Sequence, residues 1–224
     1  MAAAASLPKL KLYYFDIHGL GARIRLAAAV GGVPLEDYRF ASRDEFAALK
    51  ANGTLPFGQV PLLEVDGGAA RLAQSAAILR YVCTLGGLHP VGDPLRCAAI
   101  DAALDAEKDA FAAYTVLKYR DRSGLAFLDP ATVATADANL NADVVPRHLK
   151  HLEALLGASP TGWIAGTERP SAADFAWGTQ LHELRCGNAG CLSAALMARD
   201  ALPRCNALVD KLLALPQVEA YYKL

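Results

Sequence analysis

The segment GGLHPVGDP, residues 86 to 94, separates two kinds of pattern that no single regular architecture accommodates. Glycine and proline interrupt any hydrophobic period there, which marks a connection rather than an element. Before it, apolar runs of strand length alternate with helical stretches; after it, only helical periods recur. The whole chain is therefore neither all-β nor all-α. The pattern predicts a small α/β domain over residues 8–85, a linker at 86–94 and an all-helical domain over 95–224.

Within the first part, KLKLYYF (9 to 15) is rich in strand formers, and HGLGARIRLAAAVGG (18 to 32) reads as a turn, a helix and a glycine stop. LEDYRF follows as a short strand and RDEFAALKAN as a short helix. PLLEV and ARLAQ predict a hairpin closed by the Asp-Gly of VDGGAA, and SAAILRYVCTL is helical. The proline in LPFGQVPLLEVDG sharpens this order. Pro61 has no N–H to give a ladder, so it must stand at the entry of the strand LLEV. The Val60-Pro61 bond is also one where the cis form costs only ~0.5–1 kcal/mol, against ~2.5–4 elsewhere. A trans proline that merely starts a strand fits these residues, and so does a cis proline that presents the Val60 backbone edgewise to an extended peptide.

In the second part, Cys97, Ile100, Leu104, Phe111 and Tyr114 recur at steps of three and four, with Asp101, Asp105, Lys108 and Asp109 on other faces. One long amphipathic helix follows. VVPRHLKHLEALLG (144 to 157) and NALVDKLLALPQVEAYY contain others. In RPSAADFAW, Ser171 and Asp174 have capping-box spacing, and Pro170 and Phe175 occupy the positions of a hydrophobic staple. A helix is predicted to start at Ala172.

Composition narrows the function classes. Hydrophobic residues make up 54% of 224, enough for a substantial core, and a net charge of -1 offers no basic face to nucleic acid. No apolar run reaches the ~20 residues of a membrane span. MAAAASLPKLK lacks the basic and apolar regions of a secretory signal. Cys83, Cys97, Cys186, Cys191 and Cys205 form an odd set without CxxC or zinc-ligand spacing, so reduced thiols, a cytoplasmic location and no metal are expected. Small molecules are the expected clients.

The Tyr-Phe ending the first strand, LPFGQVPLLEVDG, LAQSAAILRYV and a helical domain carrying SAADF together resemble the cytosolic glutathione transferases, above all their sigma class. The resemblance runs through nearly the whole chain and is strongest over residues 9 to 82. It implies a thioredoxin-like domain that binds glutathione as co-substrate, followed by a helical bundle. It further implies a homodimer that joins the glutathione thiolate to hydrophobic electrophiles. By this resemblance the catalytic hydroxyl is that of Tyr14, and Val60 before cis Pro61 holds the cysteinyl backbone. Gln74 and Ser75 receive the γ-glutamyl end, Asp109 reaches the glutamyl amino group across the dimer, and Phe46, Gly58 and Gln59 contact the peptide. Phe15, Tyr114 and Leu117, with the tail AYYKL, line the second-substrate pocket.

The residues alone leave alternatives open. Ser75 also fits a plain N-cap, Asp109 a solvated helix charge, and either tyrosine a core position. The chain departs from the family where a thiolate-supporting basic residue would align with Leu20. His18 or Arg23 stands close enough to substitute, although Arg23 and Arg25 equally fit structural helix arginines, and Arg25 matches one of the family. Gln59 stands where a lysine is expected, and Phe46 where a larger ring is usual. Besides the transferase, a non-catalytic glutathione-binding or structural protein on the same fold, or a glutathione-dependent isomerase or peroxidase, fits the pattern. A cysteine-dependent thiol exchanger does not, because KLYYFDIHGLGA carries no cysteine.

Overall fold

Alternation makes LKLYYF a strand: Leu10, Leu12 and Tyr14 are buried, while Lys11, Tyr13 and Phe15 turn partly to solvent. A computed structural model describes residues 6 to 223. The alanine-rich start up to residue 5 and Leu224 of the AYYKL tail lie outside the described residues. The strand is β1 (Leu10–Phe15), and it pairs in parallel with β2 (Leu35–Phe40), with Tyr13 opposite Tyr38. Parallel pairing needs a crossover, which α1 (Gly19–Gly31) supplies. On its other edge β1 runs antiparallel to β3 (Leu62–Val65), and β3 to β4 (Ala70–Ala73), giving the order β2-β1-β3-β4.

The Asp-Gly turn of the hairpin is a short 3-10 turn over Asp66–Gly68. Asp66 anchors it: its carboxylate accepts the Lys9 N–H at 2.8 Å and its own N–H donates to the Lys9 carbonyl at 2.8 Å. Between β2 and β3, α2 (Arg43–Ala51) starts at Ser42, whose hydroxyl accepts the Glu45 N–H at 3.3 Å. After β4 comes α3 (Ser75–Leu85), which packs on α1 and buries Ile78, Leu79 and Val82.

The long amphipathic helix is α4 (Pro94–Lys118), with Ile100, Leu104, Phe111 and Tyr114 buried as their period requires. α5 (Pro130–Asn139) went unread in the sequence, although Asp129-Pro130 announces it. The Asp129 carboxylate accepts the Ala131 and Thr132 N–H groups, and Pro130 fills the first helical position. A single π-type turn, Leu140–Val144, leads into α6 (Val145–Gly157). The capping box starts α7 (Ala172–Arg185) where it was expected. Trp177 of α7 donates its indole N–H to the Ala103 carbonyl of α4 at 2.8 Å. α8 (Pro203–Leu213) and α9 (Pro216–Tyr222) complete the chain.

Two compact units result. One contains the described residues through Cys97 together with those from Ala214 onward, and the other is Ala98–Leu213. The last helix thus groups with the sheet, whereas the sequence reading assigned it to the helical domain. The reason is local: α9 packs against α1 and buries Val218.

In the helical unit, Glu153 of α6 caps α8 from outside, accepting N–H groups of Arg204 at 2.9 Å and Cys205 at 2.8 Å. Burial acts to raise its carboxyl pKa, but the backbone N–H groups and side chains of Cys205 and Arg204 together outweigh it and hold the group below its ordinary 4.5. A lowered folded value adds stability above the unfolded pKa and loses it as pH falls through the folded one. The denaturation midpoint of the native chain is therefore expected to drop on acidification below about pH 4.5 more steeply than that of Glu153→Gln. Parallel pH dependences, followed by urea unfolding, would remove Glu153 as a pH-sensitive cap.

Candidate active site

β1 delivers Tyr14 to the turn that enters α1, and the local sequence shapes a seat for its ring. Tyr14 is 7% exposed. A Cβ on Gly21 would stand 2.5 Å from Tyr14 Cδ1, and one on Gly19 would stand 2.8 Å from the hydroxyl oxygen. Gly19 also has φ of +39°, which favours glycine. With both side chains missing, the turn closes on the ring, and the Leu20 N–H donates to Tyr14 Oη at 3.1 Å. Leu20 thus contributes its backbone, whatever its side chain lacks in charge.

Arg25 fixes the same turn from inside the fold, in the structural role expected of it. Its Nε donates to Asp37 Oδ1 at 2.8 Å, Nη1 to the Ile17 carbonyl at 2.9 Å and Nη2 to the Phe15 carbonyl at 3.2 Å. Its guanidinium also lies 5.7 Å from the Tyr14 ring centroid. Arg39 extends the network, bridging Asp37 and Asp16 at 2.7 Å each.

The Val60-Pro61 bond is cis, and the pairing of β3 with β1 begins only at Leu62. A shallow, open cleft brings together Gln59, Val60, Pro61, Gln74 and Ser75 with three residues not expected there from the sequence, Leu20, Phe57 and Ala73. The glycines flanking Leu20 were the available signal for the first. Phe57, 66% exposed, carries none beyond its place in LPFG. Ser75 is the first residue of α3, not its cap. The capping position falls to Gln74, with φ of +72°. Positive φ in a non-glycine residue costs roughly 1–3 kcal/mol and concentrates at ligand sites. The cleft therefore opens on the start of an 11-residue helix, whose first-turn N–H groups have no intrahelical acceptor and whose dipole favours a carboxylate.

Other selected residues lie elsewhere. Gly58, with φ of +63°, belongs to the loop before Pro61 but does not line the cleft. Phe46 packs its ring on Phe15 at 5.3 Å and on Phe40 at 6.1 Å, and Phe15 also meets Tyr14 at 5.7 Å. Asp109 is exposed on α4 in the helical unit. Tyr114 and Leu117 line a second open cleft, about 380 Å³, within that unit, beside Lys118, Asp137 and Cys191. Burial, with help from Asp137, pushes the Cys191 thiol up to about 11. Of the two residues near Leu20 that could replace a basic side chain, His18 is exposed and Arg23 is buried. Among the described residues, no group of three or more His, Cys, Asp or Glu could hold a metal ion, and no helix is long and apolar enough to cross a membrane.

A two-part protein with an open cleft at a cis-proline loop and a helix start has relatives of known kind. The family profile described as Glutathione S-transferase, N-terminal domain, matches residues 10–84, and that described as Glutathione S-transferase, C-terminal domain, matches residues 124–223. The chain belongs to the glutathione S-transferase family. It is 33% identical over 216 residues to the hematopoietic prostaglandin D synthase of Gallus gallus, which covers 96% of each chain. It is 47% identical to Glutathione S-transferase 1 of Ascaris suum over 106 residues, 47% of this chain and 48% of that one. Among solved structures, prostaglandin synthase D of Nilaparvata lugens superposes with a TM-score of 0.79 at 27% identity, covering 96% of this chain and 98% of its own. The chain is a sigma-like glutathione transferase enzyme, with the thioredoxin-like domain and helical domain read from its sequence.

Proposed function

We propose that this chain, as a homodimer, conjugates glutathione to apolar electrophiles, with the Tyr14 hydroxyl holding the glutathione sulfur as thiolate. The observation that carries this reading is the Leu20 N–H on Tyr14 Oη at 3.1 Å. A phenol oxygen that accepts a hydrogen bond polarises its own O–H, which then donates more strongly to an anion. The need is quantitative. A free thiol near ~8.5 is only a few per cent thiolate at neutral pH, and the thiolate is the nucleophile. Moving that value to ~6.5 requires roughly 2.7 kcal/mol of preference for the anion, within reach of a charge-assisted bond worth about 1.5–3.

Glutathione lies on the 8–85 domain in this reading, its cysteinyl backbone on Val60 beside Pro61. Its γ-glutamyl carboxylate sits at Gln74, Ser75 and the start of α3, and Phe46, Gly58 and Gln59 serve the remainder of the peptide. Residues 86–94 lead to the helical unit, where Tyr114 and Leu117 offer apolar surface to the electrophile. Conjugation of a chloronitroaromatic, followed against pH, tests the reading. A rate that reaches its plateau well below ~8.5 supports it, and a rate that climbs with free-thiol ionisation rejects it.

Asp109 of each protomer is assigned to the glutamyl amino group of the glutathione bound by the other. Loss of one such charge-assisted contact, about 1–1.4 kcal/mol, raises KM for glutathione roughly five- to tenfold in Asp109→Ala. The unfolding midpoint stays put, because Asp109 is exposed. An unchanged KM returns Asp109 to the solvated face of α4. A second reading, prostaglandin D synthesis by the same thiolate, is favoured by the names of two relatives. Assay of prostaglandin D formation decides it.

A further inference from the structure

The far end of the chain meets the turn that carries Leu20. α9 is only seven residues long and buries Val218 as it packs on α1. Its last two rings, Tyr221 and Tyr222, stand edge to face at 5.1 Å, and both meet the His18 imidazole, at 5.7 Å and 5.1 Å. His18 immediately precedes α1, and its carbonyl accepts the Ala22 N–H at 2.8 Å, closing the first turn. Leu20 is two residues further on. The turn is thus gripped twice: inside the fold, Arg25 holds the Phe15 and Ile17 carbonyls, and at the surface the tail rings hold His18.

Directly after the gripped residues, Gly19 and Gly21 flank Leu20, and glycine gives a segment little stiffness of its own. A hydrogen bond at 3.1 Å has a narrow margin, since displacement of the donor by ~0.5–1 Å leaves bonding range. We infer that His18 and Tyr222 are positioning residues for the transfer reaction: the ring contact between α9 and the α1 turn sets the Leu20 N–H on the Tyr14 hydroxyl, and through it the ionisation of the bound thiol. The inference rests on the proposed role of Tyr14, and it assigns the end of the chain a part in activating the first substrate.

The test is a pH titration of the ultraviolet absorbance of thiolate in the glutathione complex, run on the native chain, Tyr222→Ala, Tyr222→Phe, His18→Ala and Tyr14→Phe. Tyr222→Ala and His18→Ala are expected to raise the apparent thiol pKa by about 1. That lowers the conjugation rate near pH 6.5 about fivefold, with KM for glutathione within about twofold of native. Tyr222→Phe keeps the ring and titrates like the native chain. A merely structural role would lower the yield of folded protein without moving the titration of the folded complex. His18→Ala alters an exposed side chain, so it reports even where Tyr222→Ala folds poorly. Native titration in both alanine variants, while Tyr14→Phe is shifted, overturns the inference alone. Native titration in Tyr14→Phe overturns the reading of Tyr14 and the inference with it.

Discussion

Tyr14→Phe is expected to lower conjugation near pH 6.5 about 50-fold, the ratio between a thiol half ionised there and one with its pKa left at ~8.5. The variant keeps its fold. The phenylalanine ring occupies the same seat against Gly19 and Gly21, and the bond from the Leu20 N–H that is given up is worth about 1 kcal/mol. KM for glutathione changes little, because the assigned peptide contacts lie at Val60, Gln74 and Ser75 rather than at the sulfur. The discriminating feature is the pH profile. In the variant the rate should keep rising to about pH 8.5, where enzyme-bound and free thiol ionise alike. Native turnover at about pH 6.5 would take the chemistry away from Tyr14.

The second large effect is on stability. Asp174 is fully buried and accepts three hydrogen bonds: from the Ile164 N–H at 2.8 Å, the Ser171 N–H at 2.7 Å and the Ser171 hydroxyl at 2.7 Å. Burial pushes its carboxyl up, while those donors favour the ionised form. Asp174→Ala strips the acceptor from two backbone N–H groups, each costing about 1–3 kcal/mol when left unsatisfied. The expected loss is roughly 3–5 kcal/mol, a large part of the ~5–15 that holds a typical protein folded. Urea unfolding should show the midpoint fall with the slope unchanged. A loss below about 1 kcal/mol would mean that the box connecting Ile164 to the start of α7 is dispensable.

What could be read in advance follows from where the information sits. Side-chain chemistry that acts locally was legible: Ser171 and Asp174 announce the start of α7, Asp-Gly the hairpin, and Pro61 the entry to β3. Backbone chemistry was not. Leu20 reads in the sequence as a missing cation, yet the structure uses its N–H, which every residue but proline possesses. Ser75 reads as a cap because serine often is one, but the positive φ of Gln74 moves the cap one residue back, and no side chain reveals a dihedral angle in advance. Phe46 shows a third limit. Nothing in RDEFAALKAN announces that its ring meets those of Phe15 and Phe40. Tyr221 and Tyr222 are more than 200 residues from His18, and no local pattern links them.

Because α9 returns to the sheet, residues 98–213 form an insertion in a unit whose two parts lie at opposite ends of the chain. Domains generally fold as units, from the N-terminus during synthesis. The inserted helices therefore have all their residues available while the sheet that precedes them still awaits its last helix. Until Val218 is made, the unit with the cis-proline cleft lacks the helix that packs on α1. Loss of α9 thus falls on the unit that holds the cis-proline cleft and not on the helices that precede it in sequence.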